Sequence, residues 1–210
     1  EGYVYKSIDL REYDEEDQQK YLYRFGSPRG ADLTPTAKIT ESEKTFNNKI
    51  LRCLKETLED ENTNFQDEIV ELKNIKDILE NNSKKIITEI EEKKNLLDKK
   101  EQAFLSIVVL SNDKEKFIGD YEIYKQKLID DSLKKYYYSK TYNVESRAEN
   151  KKCSVCLETK QVNGLASPFA FTTFDKKGYI SGGFEREYTW RNVPICTECA
   201  LKLETAKNYL

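Results

Sequence analysis

Four cysteines in two Cys-x-x-Cys pairs are the residues of this chain best suited to chemistry: Cys153 with Cys156, and Cys196 with Cys199. Each pair can turn two thiolates toward one point, so two pairs supply the four soft ligands of a tetrahedral zinc site. Because four thiolates leave no open position for water or substrate, the pattern predicts a structural zinc ion rather than a catalytic one.

The spacing of the two pairs leaves one alternative open. A stretch of 39 residues separates them, which is longer than the commonest zinc-ribbon spacing but short enough to fold as a hairpin held by the metal. Two disulfides are the competing interpretation. No secretory signal is evident, and the long helical patterns are unlike those of a small disulfide-bonded scaffold, so zinc and a reducing cytoplasm are favoured.

The segments around the cysteines indicate how they would be positioned. The first pair precedes a predicted hairpin near residues 161–166, and the second pair stands where a predicted helix over 197–209 begins. The free N–H groups and the positive dipole of a helix N-terminus stabilise thiolates placed there. A knuckle on a hairpin, joined by metal to the start of a helix, is typical of a zinc ribbon or treble clef.

The rest of the sequence predicts a helical body with short strands. Strands are predicted at 3–10, 20–25 and 104–110, and helices at 41–60, 65–80, 83–100 and 118–138. Thr40 is the predicted N-cap of the first helix, and the polar residues 140–152 indicate a linker. The predicted fold class is α+β: a mixed helical body over 1–150 and a C-terminal four-cysteine zinc-ribbon or treble-clef-like unit with a helix over 151–210.

The composition excludes several classes of protein. With no histidine, the chain cannot build a Ser-His-Asp triad, a Cys-His protease site or a His-ligated catalytic zinc from its own residues. The longest apolar run, 104–110, is far shorter than the ~20 residues of a membrane-spanning helix. The chain has no Met and begins at Glu1, from which we expect a fragment or a processed product.

The charge distribution permits local contacts with phosphates. The whole chain has a net charge of −3, whereas residues 151–210 carry 9 Lys and Arg against 6 Asp and Glu. Two loops, 24–38 and 176–183, combine basic residues with glycines and hydroxyls, which suits phosphate binding, although a plain hairpin turn is the alternative for 176–183. The candidate nucleic-acid contacts are Arg24, Arg29, Lys38, Lys176, Lys177, Arg186 and Arg191.

Two long segments carry a family resemblance. YLYRFGSPRGADLTPTAKITESEKTF (21–46) resembles the opening of the central region in the large subunit of type I-B CRISPR effector complexes, called Cascade. SPFAFTTFDKKGYISGGF (167–184) and WRNVPICTECALKLETAKNYL (190–210), together with the first cysteine pair, are similar to the zinc-finger segment of that family.

The resemblance implies a non-catalytic role in antiviral defence. Such a subunit sits at one end of a complex built on CRISPR RNA, helps recognise target DNA beside the protospacer, supports strand separation and assists recruitment of a helicase-nuclease. Base pairing reads the sequence in such systems, while protein reads backbone shape and a short flanking motif. The implied partners are CRISPR RNA, target DNA, the other Cascade subunits and the helicase-nuclease, in the cytoplasm and without a membrane.

Two other functions remain open on the sequence alone. One is a zinc-stapled scaffold that binds only proteins, which the net charge of −3 permits. The other is a nuclease that binds a metal through the acidic cluster Asp14, Glu15, Glu16 and Asp17. In so acidic a chain such a cluster is typical of a solvated turn, so we expect no enzymatic activity.

Overall fold

A computed structural model shows a chain that packs as two units, Glu1–Leu128 and Ile129–Leu210. The residues it describes are 2–13, 17–23, 33–59, 63–98, 101–111, 114–169, 173–174, 176, 178, 180, 183, 185–207 and 209. Helices and short strands occur in both units, which confirms the α+β class. None of the described helices is both long enough and apolar enough to cross a lipid bilayer.

Helices whose apolar residues recur every three or four positions form most of the first unit. After the single turn α1 (Gln18–Tyr21), α2 (Ser42–Thr45), a π-helical segment (Phe46–Leu51) and α3 (Arg52–Glu59) make one helical stretch. The later helices are α4 (Gln66–Asn81), α5 (Ser83–Lys94) and α6 (Glu122–Lys134). The four predicted helices are therefore present, with shorter ends than expected for the last two.

The first unit has its own apolar core. The stripe predicted on the first long helix is buried at Phe46, Ile50, Cys53 and Leu54, and the other helices contribute further aliphatic and tyrosine side chains. Burial of each large apolar side chain contributes about 1.5–3 kcal/mol. Cys53 is buried in this core and forms no disulfide.

A carboxylate on α4 determines where α6 begins. Both oxygens of Glu68 accept hydrogen bonds, one from the backbone N–H of Glu122 and one from that of Ile123, each at 2.9 Å. These N–H groups lie at the start of the helix and have no partner within it. The predicted start at residue 118 is therefore wrong by four residues, since residues Ile118–Asp120 form a separate 3-10 turn.

The strands of the first unit are short and antiparallel. Strand β1 (Ala37–Lys38) pairs with β2 (Phe104–Leu105), and β3 (Val108–Ser111) pairs with β4 (Lys114–Phe117). The single buried strand predicted at 104–110 is wrong, because the segment is two strands and Leu110 is 45 % exposed. Of the four residues of β3, only Val109 is buried, and Val108 is half-buried.

Side chains rather than a strand ladder hold the N-terminal segment. The described residues 2–13 form no strand, and Gln18–Tyr21 is helical, so the predictions at 3–10 and 20–23 are wrong; residues 24–25 lie outside the described part. The hydroxyl of Tyr5 and the N–H of Ile8 donate to Glu89 at 2.6 and 3.1 Å. Of the residues that suggested strands, Tyr5, Ile8 and Leu22 pack against the helical core, whereas Val4 and Leu10 are exposed.

The predicted cap at Thr40 is also wrong. Glu41 occupies the N-cap position of α2 and makes no side-chain capping bond. At an N-cap, the Thr40 hydroxyl would accept a backbone N–H from the first turn of the helix. Instead, the backbone N–H of Thr40 donates to the hydroxyl of Thr45 at 3.2 Å. Thr45 is fully buried, so this contact satisfies its hydroxyl inside the core.

The described residues of the second unit include the end of α6, two β-ribbons, a 3-10 helix and a terminal α-helix. Strand β5 (Tyr138–Ser139) pairs with β6 (Val144–Glu145), and β7 (Arg147–Lys152) pairs with β8 (Thr159–Asn163), both antiparallel. A 3-10 helix (Arg186–Arg191) precedes α7 (Thr197–Lys207), which confirms the predicted terminal helix. The apolar core of this unit surrounds the cysteines.

The linker predicted over 140–152 is wrong, since β6 and β7 occupy most of it. Only Ala148 interrupts the charged and polar residues of β7, and a two-stranded ribbon exposes most of its surface, so no apolar alternation identifies the strand. The predicted division into domains 1–150 and 151–210 stays a prediction about independent folding.

Three segments of the second unit meet at a glycine. The N–H of Gly164 donates to the carbonyl of Ser146 at 2.8 Å, and the buried Ser146 hydroxyl accepts the N–H of Trp190 at 3.0 Å and donates to the carbonyl of Glu187 at 3.0 Å. A Cβ on residue 164 would lie 2.3 Å from the Ser146 hydroxyl oxygen and 2.6 Å from the Trp190 nitrogen. Only glycine fits this crossing.

We therefore expect Gly164→Ala to destabilise the second unit by about 1–3 kcal/mol, because the added methyl group forces backbone apart. Urea unfolding followed by the fluorescence of Trp190, the single tryptophan, measures the effect. The matched control is Gly178→Ala, whose Cβ would have no atom within 4 Å. Equal unfolding midpoints for the two variants would contradict the packing described here.

Candidate metal centre

The first cysteine pair lies in the turn of the β7–β8 ribbon. Lys152 pairs with Thr159 at the end of the ladder, and the N–H of Cys153 then donates to the carbonyl of Glu158 at 2.9 Å. The N–H of Leu157 returns to the carbonyl of Cys153 at 3.0 Å, with Leu157 in the left-handed region at φ 64°. This tight turn brings Cys153 and Cys156 together, whereas the sequence placed them before the hairpin.

The second pair lies at the N-terminus of α7. Cys196 immediately precedes the helix, and its carbonyl accepts the N–H of Ala200 at 3.0 Å, which closes the first helical turn. Cys199 is in that turn. Orphan N–H groups and the helix dipole favour negative charge at this end of a helix, so the location suits two thiolates, as the sequence predicts.

Backbone hydrogen bonds join the two cysteine-bearing segments. The N–H of Ser154 donates to the carbonyl of Pro194 at 2.8 Å, and the N–H of Asn163 donates to the carbonyl of Ile195 at 2.9 Å. The side-chain amide of Asn163 also reaches the hydroxyl of Thr197 at 3.0 Å, in the first turn of α7. The ribbon and the helix start are thereby held side by side, although 39 residues separate the pairs.

The four sulfur atoms converge on one point. All lie within 4.8 Å of one another, and the Sγ atoms of Cys156 and Cys196 are 3.9 Å apart. Tetrahedral coordination with Zn–S bonds of about 2.3 Å requires S–S separations of about 3.8 Å, whereas a disulfide requires about 2.05 Å. All five cysteines are free thiols. The four converging cysteines could therefore hold a metal ion, in agreement with the predicted ligand set.

The local electrostatics distinguish the four thiols. Burial raises the pKa of Cys153, but hydrogen bonds from the backbone N–H groups of Cys196, Cys156 and Val155 outweigh it and lower the pKa to about 6. Burial and the neighbouring thiols raise the pKa of Cys199 to about 12, and burial also raises that of Cys196. Cys153 therefore favours the thiolate form even without a bound metal ion, whereas Cys196 and Cys199 require a nearby cation to release their protons.

The structure describes four of the seven residues that are predicted to contact nucleic acid. Arg24, Arg29 and Lys177 lie outside the described residues. Lys38 is a strand residue of the first unit, opposite Phe104, and Lys176 is exposed in the second unit. The 176–183 loop is described only at four single positions, so its role in phosphate contact stays a prediction.

Arg186 and Arg191 are the first and last residues of one 3-10 helix. The guanidinium of Arg186 lies 3.8 Å from the ring centre of Tyr142, and its Nε donates to the carbonyl of Phe174 at 3.2 Å. Arg191 is exposed and lies 4.5 Å from the ring centre of Tyr188. The structure thus brings these two predicted residues onto one element, with Arg186 committed to a packing contact.

Two further basic residues were missed because their strand was interpreted as a linker. Arg147 lies 4.6 Å from the ring centre of Tyr137, and Lys151 lies 5.6 Å from that of Trp190. The charged residues at 147, 149 and 151 alternate with Ala148 and Asn150. Because Asn150 is polar, this pattern lacks the apolar alternation that predicts a strand, and no signal in the sequence identified these residues.

Comparisons with known proteins identify the family. A family model described as the N-terminal domain of CRISPR-associated protein TM1802 (cas_TM1802) matches residues 1–130. A second model, the central domain of the same family, matches residues 150–210 and includes all four converging cysteines. No curated protein matches the chain, and no solved structure matches it.

The two matches correct one expectation from the sequence. Residues 21–46, which resemble the opening of a central region, fall within the N-terminal domain match, whereas residues 167–210 fall within the central domain match as expected. Because the first model alone covers more than half of the chain, the relationship does not depend on the cysteine motif. The chain belongs to the CRISPR-associated TM1802 family.

Proposed function

We propose that this chain is a non-catalytic portion of the large subunit of a type I CRISPR surveillance complex, Cascade. Its role there is to contribute to recognition of target DNA beside the protospacer and to assembly of the complex in the cytoplasm. The observation that carries the proposal is the match of the two units to two successive domains of one CRISPR-associated family. Family membership supports a role in CRISPR defence and interaction with other CRISPR components.

The metal in this proposal is a structural zinc ion held by Cys153, Cys156, Cys196 and Cys199. The sulfur separations, 3.9 Å for one pair and at most 4.8 Å, need only a small contraction to fit a tetrahedral zinc ion. Four thiolates complete the coordination of zinc, so the ion would supply folding free energy rather than an activated water.

The partners proposed are CRISPR RNA, target DNA, neighbouring Cascade subunits and the recruited helicase-nuclease. Supporting this, the second unit carries 13 Lys and Arg against 10 Asp and Glu, a net charge of +3 in a chain of net charge −3. Basic residues on one unit of an acidic protein favour local contacts with phosphates. The seven basic residues singled out by the sequence remain candidates for those contacts.

A scaffold that binds only proteins is the second candidate function. It is favoured by two exposed apolar side chains on the first knuckle, Val155 at 48 % and Leu157 at 63 % exposure, and by the net charge of −6 on the first unit. Binding of the chain to DNA and RNA across a series of salt concentrations separates the two functions. Contacts with several phosphates make the affinity fall steeply with salt, and a scaffold shows no binding even at low salt.

Removal of the metal is expected to unfold the second unit and spare the first. Structural zinc supplies on the order of 10 kcal/mol in isolated zinc-binding peptides. Cys196→Ser should therefore abolish stoichiometric zinc binding and the native fluorescence of Trp190, while the helical circular dichroism of the first unit persists. Cys53→Ala is the matched control, because Cys53 is a free thiol in the other core. One zinc per chain retained by Cys196→Ser would contradict the assignment.

The chain is expected to co-purify with the RNA-bearing complex. Co-expression of the tagged chain with the other components should recover CRISPR RNA and one zinc per chain, whereas Cys196→Ser should recover neither in stoichiometric amount. Recovery of the chain with protein partners but without RNA in every preparation would favour the scaffold instead.

No nuclease activity is expected of the chain. Asp14, Glu15 and Glu16 lie outside the described residues, and Asp17 forms an ion pair with Lys20 at 2.5 Å. Incubation with labelled DNA and magnesium or manganese should leave the DNA intact. Cleavage that is lost in a variant with Asp14, Glu15, Glu16 and Asp17 all changed to Ala would overturn this proposal.

A further inference from the structure

Four residues of the second unit form a continuous array of cations and aromatic rings, here called the Trp190 array: Lys151, Tyr188, Trp190 and Arg191. The Lys151 ammonium lies 5.6 Å from the Trp190 ring centre, and the Arg191 guanidinium lies 5.2 Å from it. The same guanidinium lies 4.5 Å from the Tyr188 ring centre. All three separations are within the range of cation–π attraction.

The array is held by the surrounding fold. The backbone N–H of Trp190 donates to the buried Ser146 hydroxyl at 3.0 Å, and the ring packs against the apolar core around the cysteines. Lys151 belongs to the paired strand β7, opposite Lys160. Rings and cations fixed in this way lose little conformational freedom when a ligand binds.

The two cations of the array are available to an anion. In the part of the chain that the structure describes, the ion pairs of this unit are made by other cations, Lys135, Arg147 and Lys160. Lys151 and Arg191 are both exposed. Their positive charge is therefore directed to solvent next to aromatic surface.

The acidic residues nearest in sequence offset the positive charge of the two cations. Glu187 belongs to the same 3-10 helix and is exposed, and Glu149 belongs to β7, where its carboxylate accepts a hydrogen bond from Gln161. Arg147, four residues before Lys151 on β7, pairs with Glu145 at 3.0 Å. Two carboxylates against the two cations leave the array no more than neutral overall, so stacking must supply part of any affinity.

We propose that the Trp190 array binds unpaired nucleotides of single-stranded DNA or RNA. Phosphates contact Lys151 and Arg191, and bases stack on the Tyr188 ring, which is 38 % exposed, and on the guanidinium plane of Arg191. Stacking on rings and guanidinium groups next to basic residues is the general chemistry of single-strand binding. A duplex keeps its base faces covered and satisfies only the phosphate contacts. The inference rests on the proposed function, because it names the form of nucleic acid that the second unit contacts.

The fluorescence of Trp190 tests the proposal at the site itself, since this is the single tryptophan of the chain. The full zinc-loaded chain is titrated with oligodeoxythymidylate and oligouridylate of about ten nucleotides, within the usual length of single-strand sites. Saturable quenching by at least one of them is expected, and a duplex of the same length should need a higher concentration. Comparison of the two oligonucleotides tells DNA from RNA.

Variants of the array should change two different quantities. Lys151→Ala combined with Arg191→Ala should lower the slope of log affinity against log salt by about 1.4, at about 0.7 for each phosphate of a single strand. Tyr188→Ala should weaken binding by at least about fivefold through lost stacking and leave the salt slope unchanged. The matched control removes two exposed lysines elsewhere in this unit, Lys134→Ala with Lys202→Ala. This control should leave both the affinity and its salt slope unchanged.

Zinc content and circular dichroism verify that each variant is folded, and Lys151→Gln with Arg191→Gln replaces the double alanine variant if that variant loses zinc. Binding that is equal in the array variants and the control overturns the inference and leaves the proposed function intact. If neither oligonucleotide quenches the Trp190 fluorescence at low salt, the inference is also overturned, even where the chain co-purifies with the RNA-bearing complex. Loss of that co-purification would count separately, against the proposed function.

Discussion

The convergence of four cysteine sulfurs within 4.8 Å is the constraint on which the second unit depends. Four thiolates so close repel one another, and four neutral thiols contribute little beyond packing, so a divalent cation bound there would make the arrangement favourable. Three of the eight residues in the described core of this unit are cysteines. A core of that size gives a small segment little stability of its own, and coordination of the proposed zinc ion would supply the rest.

The first unit is held by different means. Fifteen buried apolar residues form its described core, and carboxylates fix the segments that pack around the helices. Glu68 receives the first N–H groups of α6, and Glu89 receives the N-terminal segment through Tyr5 and Ile8. Polar groups that satisfy backbone donors in this way replace strand pairing. We therefore expect the two units to differ in their source of stability, with an apolar core in the first and the proposed metal coordination in the second.

Local patterns in the sequence predicted some elements of this fold correctly and others incorrectly. Periodic apolar residues such as Phe46, Ile50 and Leu54 identified the long helices, and the spacing of the cysteines predicted the four whose sulfur atoms converge. The strands predicted at 3–10 and the linker predicted at 140–152 were wrong for a physical reason. Their structure is determined by distant partners, namely Glu89 for the first and β8 for the second. A local pattern carries no information about such partners.

The basic residues show why net charge is a weak guide to the ligands of this protein. Charges act over about 8–10 Å at physiological salt, so a phosphate near Arg191 would respond to the charged groups within that distance and not to the net charge of −3 summed over the whole chain. What matters is which cations already have partners. Arg186 is committed to Tyr142 and the Phe174 carbonyl, and Lys160 to Glu158 and Glu198. Although the sequence presents all its lysines and arginines alike, those in the described part of the chain differ in how far neighbouring groups already engage their charge.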